Sequence, residues 1–257
     1  MTFSEKLNAL KTIVIKEYLR FIRIWLQTIL PPAITTALYF VIFGKLIGSQ
    51  IADIDGYSYM DYIVPGLILM AVITNSYANV VSSFYLSKFQ KSIEELLVSP
   101  VPNYLILTGY VSGGVARGLI VGVVVTGVAM FFSDIQIYSW FISLVVFFLT
   151  AILFSLAGFI NAIYANSFDD ITIIPTFVLT PLTYLGGIFY SIDMLPEFWQ
   201  NISLVNPILY MVNSFRYGLL GISDTDLVTA LGIIIIFIVV LFSYSLYLLK
   251  SGVGIKP

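Results

Sequence analysis

The stretch PTFVLTPLTYLGGIFYSIDMLPEFWQNISLVNPILYMVNSFRYGLLG, from Pro175 to Gly221, begins as a membrane-spanning helix and then breaks that pattern. Pro181 and the pair Gly186-Gly187 interrupt its first part. After Tyr190 the apolar run gives way to two short segments, each opened by a helix-start signal. Pro196-Glu197 puts a proline and an acid in a first turn, and Asn206-Pro207 puts an N-cap residue before proline at the first helical position. Gly221 supplies a C-terminal stop. At ~1.5 Å per residue, pieces of roughly 8 and 14 residues cannot cross a hydrocarbon core of about 30 Å. The stretch therefore predicts a span followed by a helical hairpin, residues 191–221, that dips into the outer face of a membrane.

Composition agrees. Of 257 residues 59% are hydrophobic and 10% charged, and the mean hydropathy is +0.99. Soluble domains carry about a quarter charged residues, so this is an all-α, polytopic membrane protein. Cysteine and histidine are both absent. That excludes disulfides, histidine metal sites, and the Ser-His and Cys-His pairs of nucleophilic catalysis. The N-terminus is charged through Arg23 and has no small-residue cleavage site after a short apolar core, unlike a cleavable signal peptide.

Residues 1–24 form a predicted amphipathic interface helix. Thr2 and Glu5 have capping-box spacing. Leu7, Leu10, Val14, Tyr18 and Phe21 form one apolar face, and Lys6, Lys11, Lys16, Arg20 and Arg23 offer charge to anionic headgroups. Six spans follow, at about Trp25–Ile47, Tyr62–Leu86, Tyr104–Phe132, Tyr138–Tyr164, Ile171–Tyr190 and Val228–Leu249. With both termini inside, the inner pieces hold nine of the twelve bases, including Lys88, Lys91, Lys250 and Lys256. The outer pieces hold Lys45 and Arg216 against eight acids. The positive-inside rule gives N-in, C-in.

Polar residues within the spans fall into stripes. Asn75, Asn79, Ser82 and Ser83 share a face of the second span, and Thr172, Thr176, Thr180 and Thr183 share one of the fifth. Gln27, Thr28, Thr35 and Thr36 surround the helix-disturbing pair Pro31-Pro32 in the first. Such groups either bond between helices or line a polar path. Gly114, Gly118, Gly122 and Thr126 make a small-residue ridge for close packing, within or between subunits. Beside it, Arg117 lies about a dozen residues into the third span. At that depth it needs water or an acid from another helix, with Asp169 or Asp170 as the expected partner. An adjacent acid pair is a poor metal site, and capping the fifth span is its simpler role.

No acid lies deep in a span, which disfavours a proton-coupled carrier. No GxxxxGK[ST] loop is present to hold nucleotide phosphates. Energy for uphill transport must then come from another chain. Its docking point is expected in the inner loop 87–103, where Lys91–Val98 reads as a short helix stopped by Ser99-Pro100. Lys91, Glu94 and Glu95 would offer charge and Leu96 and Leu97 an apolar patch.

Taken together, the basic N-terminal helix, the proline-broken first span, the EELLVSP loop and the pattern Gly186, Gly187, Ile188, Phe189, Tyr190, Leu195, Pro196, Asn206, Pro207, Tyr210 and Arg216 resemble the membrane subunit of a bacterial type-2 ABC transporter, exporter class. The resemblance covers residues 1–257 as a single transmembrane domain. It implies a multi-pass protein of the cytoplasmic (inner) membrane. It also implies a homodimeric permease above two ATP-binding subunits, with the helix at Lys91–Ser99 as the coupling helix. ATP and magnesium would be bound by the partner, leaving this chain with no cofactor, metal or catalytic site. Membrane lipids are the remaining expected partners, and nucleic acid is not one. The expected path includes Asn75, Asn79, Arg117, Thr176, Thr180 and Thr183. Gly186, Gly187, Pro196, Asn206, Pro207 and Arg216 fall at its hinge and outer mouth. The alternative is an ATP-independent channel or gradient-driven carrier.

Overall fold

The computed structural model describes residues 1–254, apart from the side chains of Lys45 and Ser49. Lys256, counted above among the inner bases, lies outside the described residues, as does the Lys45 side chain. The fold is helical, with no β-strand among the described residues. In chain order the helices are α1 (Phe3–Arg23), α2 (Trp25–Tyr39), α3 (Tyr59–Phe89), α4 (Ser92–Val98), α5 (Asn103–Ala129), α6 (Trp140–Tyr164), α7 (Asp170–Ile174), α8 (Thr180–Tyr184), α9 (Glu197–Val205), α10 (Pro207–Leu220) and α11 (Leu227–Ser251). α2 runs on into a π-helical segment, Phe40–Ile47, and a second π segment, Pro175–Leu179, joins α7 to α8.

Among the described residues five helices are long and apolar enough to cross a membrane: Trp25–Gly44, α3, α5, α6 and α11. The expected fifth span, Ile171–Tyr190, differs. It is a rod of three consecutive five-residue segments, α7, Pro175–Leu179 and α8, about 22 Å long at ~1.5 Å per residue. Pro175 and Pro181 remove two backbone donors, and the helix answers by widening its turn. The hydroxyl of Thr180 donates to the Pro175 carbonyl at 2.9 Å and that of Thr183 to the Thr180 carbonyl at 2.7 Å. The rod then stops in a turn at Leu185–Gly187, where Gly187 has φ 69°, a left-handed conformation that favours glycine.

α3 is the axis of the bundle. In its most apolar stretch 83% of residues are buried, against 17% for the first span and 11% for α11. It packs on α5, α6 and α10, while α11 lies against α6 and α10 on the outside. The glycine ridge of α5 explains the tight centre. A Cβ at Gly114 would stand 2.4 Å from both Ser155 Oγ and Val80 Cγ2, and one at Gly118 only 1.8 Å from Ser76 Oγ. The ridge therefore packs within the subunit, against α3 and α6.

The terminal signals are realised. Thr2 and Glu5 form a reciprocal capping box, Asn206 caps α10 through a bond from the Ile208 N–H at 3.0 Å, and Gly221 closes α10 at φ 79°. The hairpin divides unequally. α9 keeps Phe198, Trp199 and Val205 exposed. α10 is largely buried and inserts among α3, α6 and α11.

Candidate functional site

The site is built from α1 inward. The expected apolar face of α1 is displaced: Leu7 and Tyr18 are exposed, and the buried residues are Ile13, Glu17 and Phe21. The reason lies in α5, where Gly109 and Gly113 stand one turn apart. A Cβ at Gly109 would come within 2.4 Å of Ile13 Cγ2, and one at Gly113 within 2.6 Å of Glu17 Cβ. Two missing side chains let α1 lie directly on the α5 backbone. The face that docks is set by that groove, not by maximum hydrophobicity.

Glu17 is the residue that sequence reading missed. It is completely buried, with a hydrogen bond at Oε1 and ion pairs to its neighbours, while Oε2 accepts no hydrogen bond. Ser83 donates its hydroxyl to Glu17 Oε1 at 2.7 Å, Arg20 Nε lies 3.5 Å from Oε2, and Lys16 Nζ lies 3.9 Å from Oε1. Arg20 reaches on to α3, donating through Nη2 to the Asn79 carbonyl and to Asn79 Oδ1, both at 2.8 Å. Burial lowers the Arg20 pKa and Glu17 works against that shift. An acid in the body of α1, among its bases and one turn from Ile13 and from Phe21, was the available signal.

The stripe on α3 thus has two jobs. Asn79, Ser82 and Ser83 face α1. Asn75, one turn further, faces Arg117 of α5: its Nδ2 donates to the Ala71 carbonyl at 2.9 Å, which turns Oδ1 toward Arg117 Nη2 at 3.2 Å. The expected acid partner for Arg117 is not used. Asp170 Oδ2 instead accepts from the backbone N–H groups of Asn166 and Ser167 at 2.8 and 3.0 Å. Those bonds, Asn166 first, hold its carboxyl below the usual carboxylate range. A local turn claims it. No cluster of metal-ligating side chains occurs among the described residues.

Arg117 lines a cavity of about 360 Å³ between α2, α3 and α5. Its polar wall comes from Gln27, Thr28, Thr35 and Thr36 on α2 and from Thr74 and Asn75 on α3. Gln27, Pro31 and Thr35, at steps of four, are exposed, so the cavity opens along one side of α2. Thr176 and Thr180 are exposed on the separate α7–α8 rod and Thr183 is buried.

At the end of the bundle carrying α1, the loop after α3 forms the expected short helix. Lys91 turns the chain in a left-handed conformation, φ 58°, and Ile93 anchors α4 in the core. Glu94 and Glu95 are exposed. Leu96 and Leu97 are half-buried against the protein's own core. The apolar group most fully presented is Val98, 88% exposed. At the opposite end, Gly186 and Gly187 are buried, Asn206 ties the hairpin to the rod by donating Nδ2 to the Leu182 carbonyl at 2.7 Å, and Pro196 and Pro207 open α9 and α10. Arg216 is fully buried beneath them.

Long apolar helices around a buried axis, a polar cavity among three of them and an amphipathic helix at one end define a multi-pass α-helical membrane protein. The family description "ABC-2 type transporter" matches residues 8–220. The chain belongs to that family, as the membrane permease subunit of an ABC transporter. It is 58% identical over 248 residues to the inner membrane transport permease YadH of Escherichia coli K12, covering 96% of this chain and 97% of that protein. It is 24% identical over 239 residues to nodulation protein J of Rhizobium leguminosarum bv. viciae, covering 91% of each. The nodulation protein J of Rhizobium meliloti is 23% identical over 236 residues.

Proposed function

We propose that this permease subunit works in an ATP-driven exporter of the bacterial inner membrane. Two copies form the translocation path, each with both termini inside; the sixth crossing this needs is made by the short α7–α8 rod together with the non-helical chain flanking it, residues 165–190, which is tolerated at membrane depth where it lines a protein cavity. A separate ATP-binding subunit beneath each copy holds ATP and magnesium. The observation that carries the reading is α4. It is a short helix anchored by Ile93, presenting Glu94, Glu95 and Val98 outward, and lying in the chain directly between α3 and α5. A partner that pushes on α4 pushes on both helices that carry the Asn75–Arg117 pair. Nucleotide-driven closure of the partner subunits can then change the packing of the path, because ATP binding biases one of two arrangements of the same helices.

α1 supports the same coupling. Glu17 and Arg20 fasten it to α3, and Gly109 and Gly113 seat it on α5, so a partner touching α1 moves the same two helices. The test is reconstitution in liposomes of the chain with and without the co-purified ATP-binding subunit. Solute movement that needs the subunit and hydrolysable ATP supports the exporter. Movement by the chain alone, without ATP, would establish the channel or carrier alternative.

A further inference from the structure

Among the described residues Arg117 is a cation without a counter-ion. It lies about 20 Å along α5 from Asn103, at ~1.5 Å per residue. Among the described residues no carboxylate lies within ion-pair distance of it; the ion pairs of this region are those of Glu17 with Lys16 and Arg20. Glu17 belongs to α1, where it accepts from Ser83 and is ion-paired with Lys16 and Arg20. The charged group acting on Arg117 is Arg20, of the same sign. Of the five donors of a guanidinium, Arg117 spends one on Asn75 Oδ1, and its buried Nε has no partner. Around Arg117, Lys16, Glu17 and Arg20, three positive charges meet one negative charge.

The cavity in front of Arg117 has the chemistry to receive what is missing. Its hydroxyls and amides (Gln27, Thr28, Thr35, Thr36, Thr74) stand beside an apolar wall that includes Pro32, Leu67 and Met70. At about 360 Å³ it falls within the range of small-ligand sites. Its open side runs along α2, where Leu26, Leu30, Ile34 and Leu38 are also exposed. An apolar tail can therefore leave the cavity along α2 while a polar head stays inside. Arginine pairs with phosphate and carboxylate through paired donors, and Asn75, itself held by the Ala71 carbonyl, fixes the plane of that fork.

The geometry points to an anion-binding subsite in which Arg117, oriented by Asn75, takes the phosphate or carboxylate head of an amphipathic cargo in the cavity between α2, α3 and α5. That the bound amphiphile is cargo rests on the exporter function; the site itself does not. Arg117 is the recognition residue and Asn75 a positioning residue.

The experiment uses the full chain in an uncharged maltoside detergent, titrated with dodecyl phosphate, with inorganic phosphate, and with an uncharged dodecyl glucoside. Binding is read from intrinsic fluorescence and from thermal shift. The wild type should bind dodecyl phosphate saturably and the glucoside at least tenfold more weakly. Arg117→Gln should lose tenfold or more in affinity, Arg117→Lys should recover part of it, and Asn75→Ala should fall between them. Inorganic phosphate binding as tightly as dodecyl phosphate would assign the site to a free anion; much weaker binding assigns it to a lipid-borne head. If Arg117→Gln does not fold, Thr74→Trp carries the test by filling the cavity with the charge intact, and it too should abolish binding. Equal affinity for dodecyl phosphate in wild type and Arg117→Gln, or in wild type and Thr74→Trp, would overturn the proposal. The two readings separate cleanly. Anion binding lost in Arg117→Gln with no ATP-binding partner leaves the site standing without the exporter, and an ATP-driven complex indifferent to Arg117 does the reverse.

Discussion

The guanidinium of Arg216 lies 3.9 Å from the centre of the Tyr62 ring, and this pair joins the outer hairpin to the central helix α3. The same group donates through Nη2 to the Gly187 carbonyl at 2.6 Å and through Nη1 to Asn213 Oδ1 at 3.0 Å. One buried cation thus holds three elements: α3, α10 and the turn that ends the α7–α8 rod. A cation over an aromatic face in a desolvated site is worth about 2 kcal/mol.

Arg216→Met keeps the apolar stem and removes every one of these bonds, leaving the Gly187 carbonyl without its donor, while Asn213 Oδ1 keeps only the Asp224 N–H at 3.3 Å. A loss of about 2–4 kcal/mol is expected, since an orphaned buried polar group costs roughly 1–3 kcal/mol. Arg216→Lys, a single point charge without the fork, should fall between. Thermal unfolding of the purified chain in detergent gives the order. An Arg216→Met protein as stable as wild type would remove this residue from the account of the outer end.

Glu17 and Arg20 should be strongly coupled. Glu17→Gln removes the counter-charge of a half-buried guanidinium that keeps its Asn79 bonds, so the loss should fall below the about 3–5 kcal/mol of a fully buried pair broken on one side. The double change Glu17→Gln with Arg20→Gln should be less damaging than the two single losses added. A double-mutant cycle on unfolding should return an interaction energy in the range of roughly 0.5–3 kcal/mol found for residues in contact. Strict additivity would mean that the pair does not hold α1 in place.

Gly113→Val should unseat α1, because a Cβ there already falls 2.6 Å from Glu17 Cβ. The chain has no native cysteine, so a single Ile13→Cys substitution is a clean reporter. In an otherwise unaltered chain the thiol should react slowly with a maleimide, since position 13 is buried. Adding Gly113→Val should raise the rate tenfold or more. No change in rate would show that α1 does not need the groove.

Glu94→Ala with Glu95→Ala tests the coupling surface. Both side chains are exposed, so stability should shift by no more than ~0.5 kcal/mol, while ATP hydrolysis by the assembled complex should fall several-fold. Val98→Asp, at the most exposed apolar position of α4, should do the same. Full ATPase activity in both variants would move the docking point elsewhere.

Much of the fold was legible because lipid-compatible helices must be long, apolar and internally hydrogen-bonded. The boundaries of α3, α5, α6 and α11 follow from that constraint, and those of α9 and α10 from Pro196, Asn206-Pro207 and Gly221. The α7–α8 rod was harder. Hydropathy sees an apolar run and is blind to what Pro175 and Pro181 do to the hydrogen-bond ladder. The docking face of α1 was hidden for a different reason: a hydrophobic stripe ranks side chains, whereas Gly109 and Gly113 decide by backbone approach. That same blindness concealed Glu17, whose carboxylate is held by Ser83 of α3 and by Lys16 and Arg20 of its own helix. For Arg117 the sequence carried the need for a cavity but named the wrong neighbours, Asp169 and Asp170, since nothing local reveals that Asn75 is aimed at it.

The most direct test of the central claim is a mild-detergent pull-down of the tagged full chain, assayed for co-purifying protein and for ATP hydrolysis. An ATP-binding subunit should co-purify in one-to-one ratio with the permease, with a hydrolysis rate that falls when Glu94 and Glu95 are replaced. A clean homo-oligomer of this chain with no such partner and no hydrolysis would contradict it.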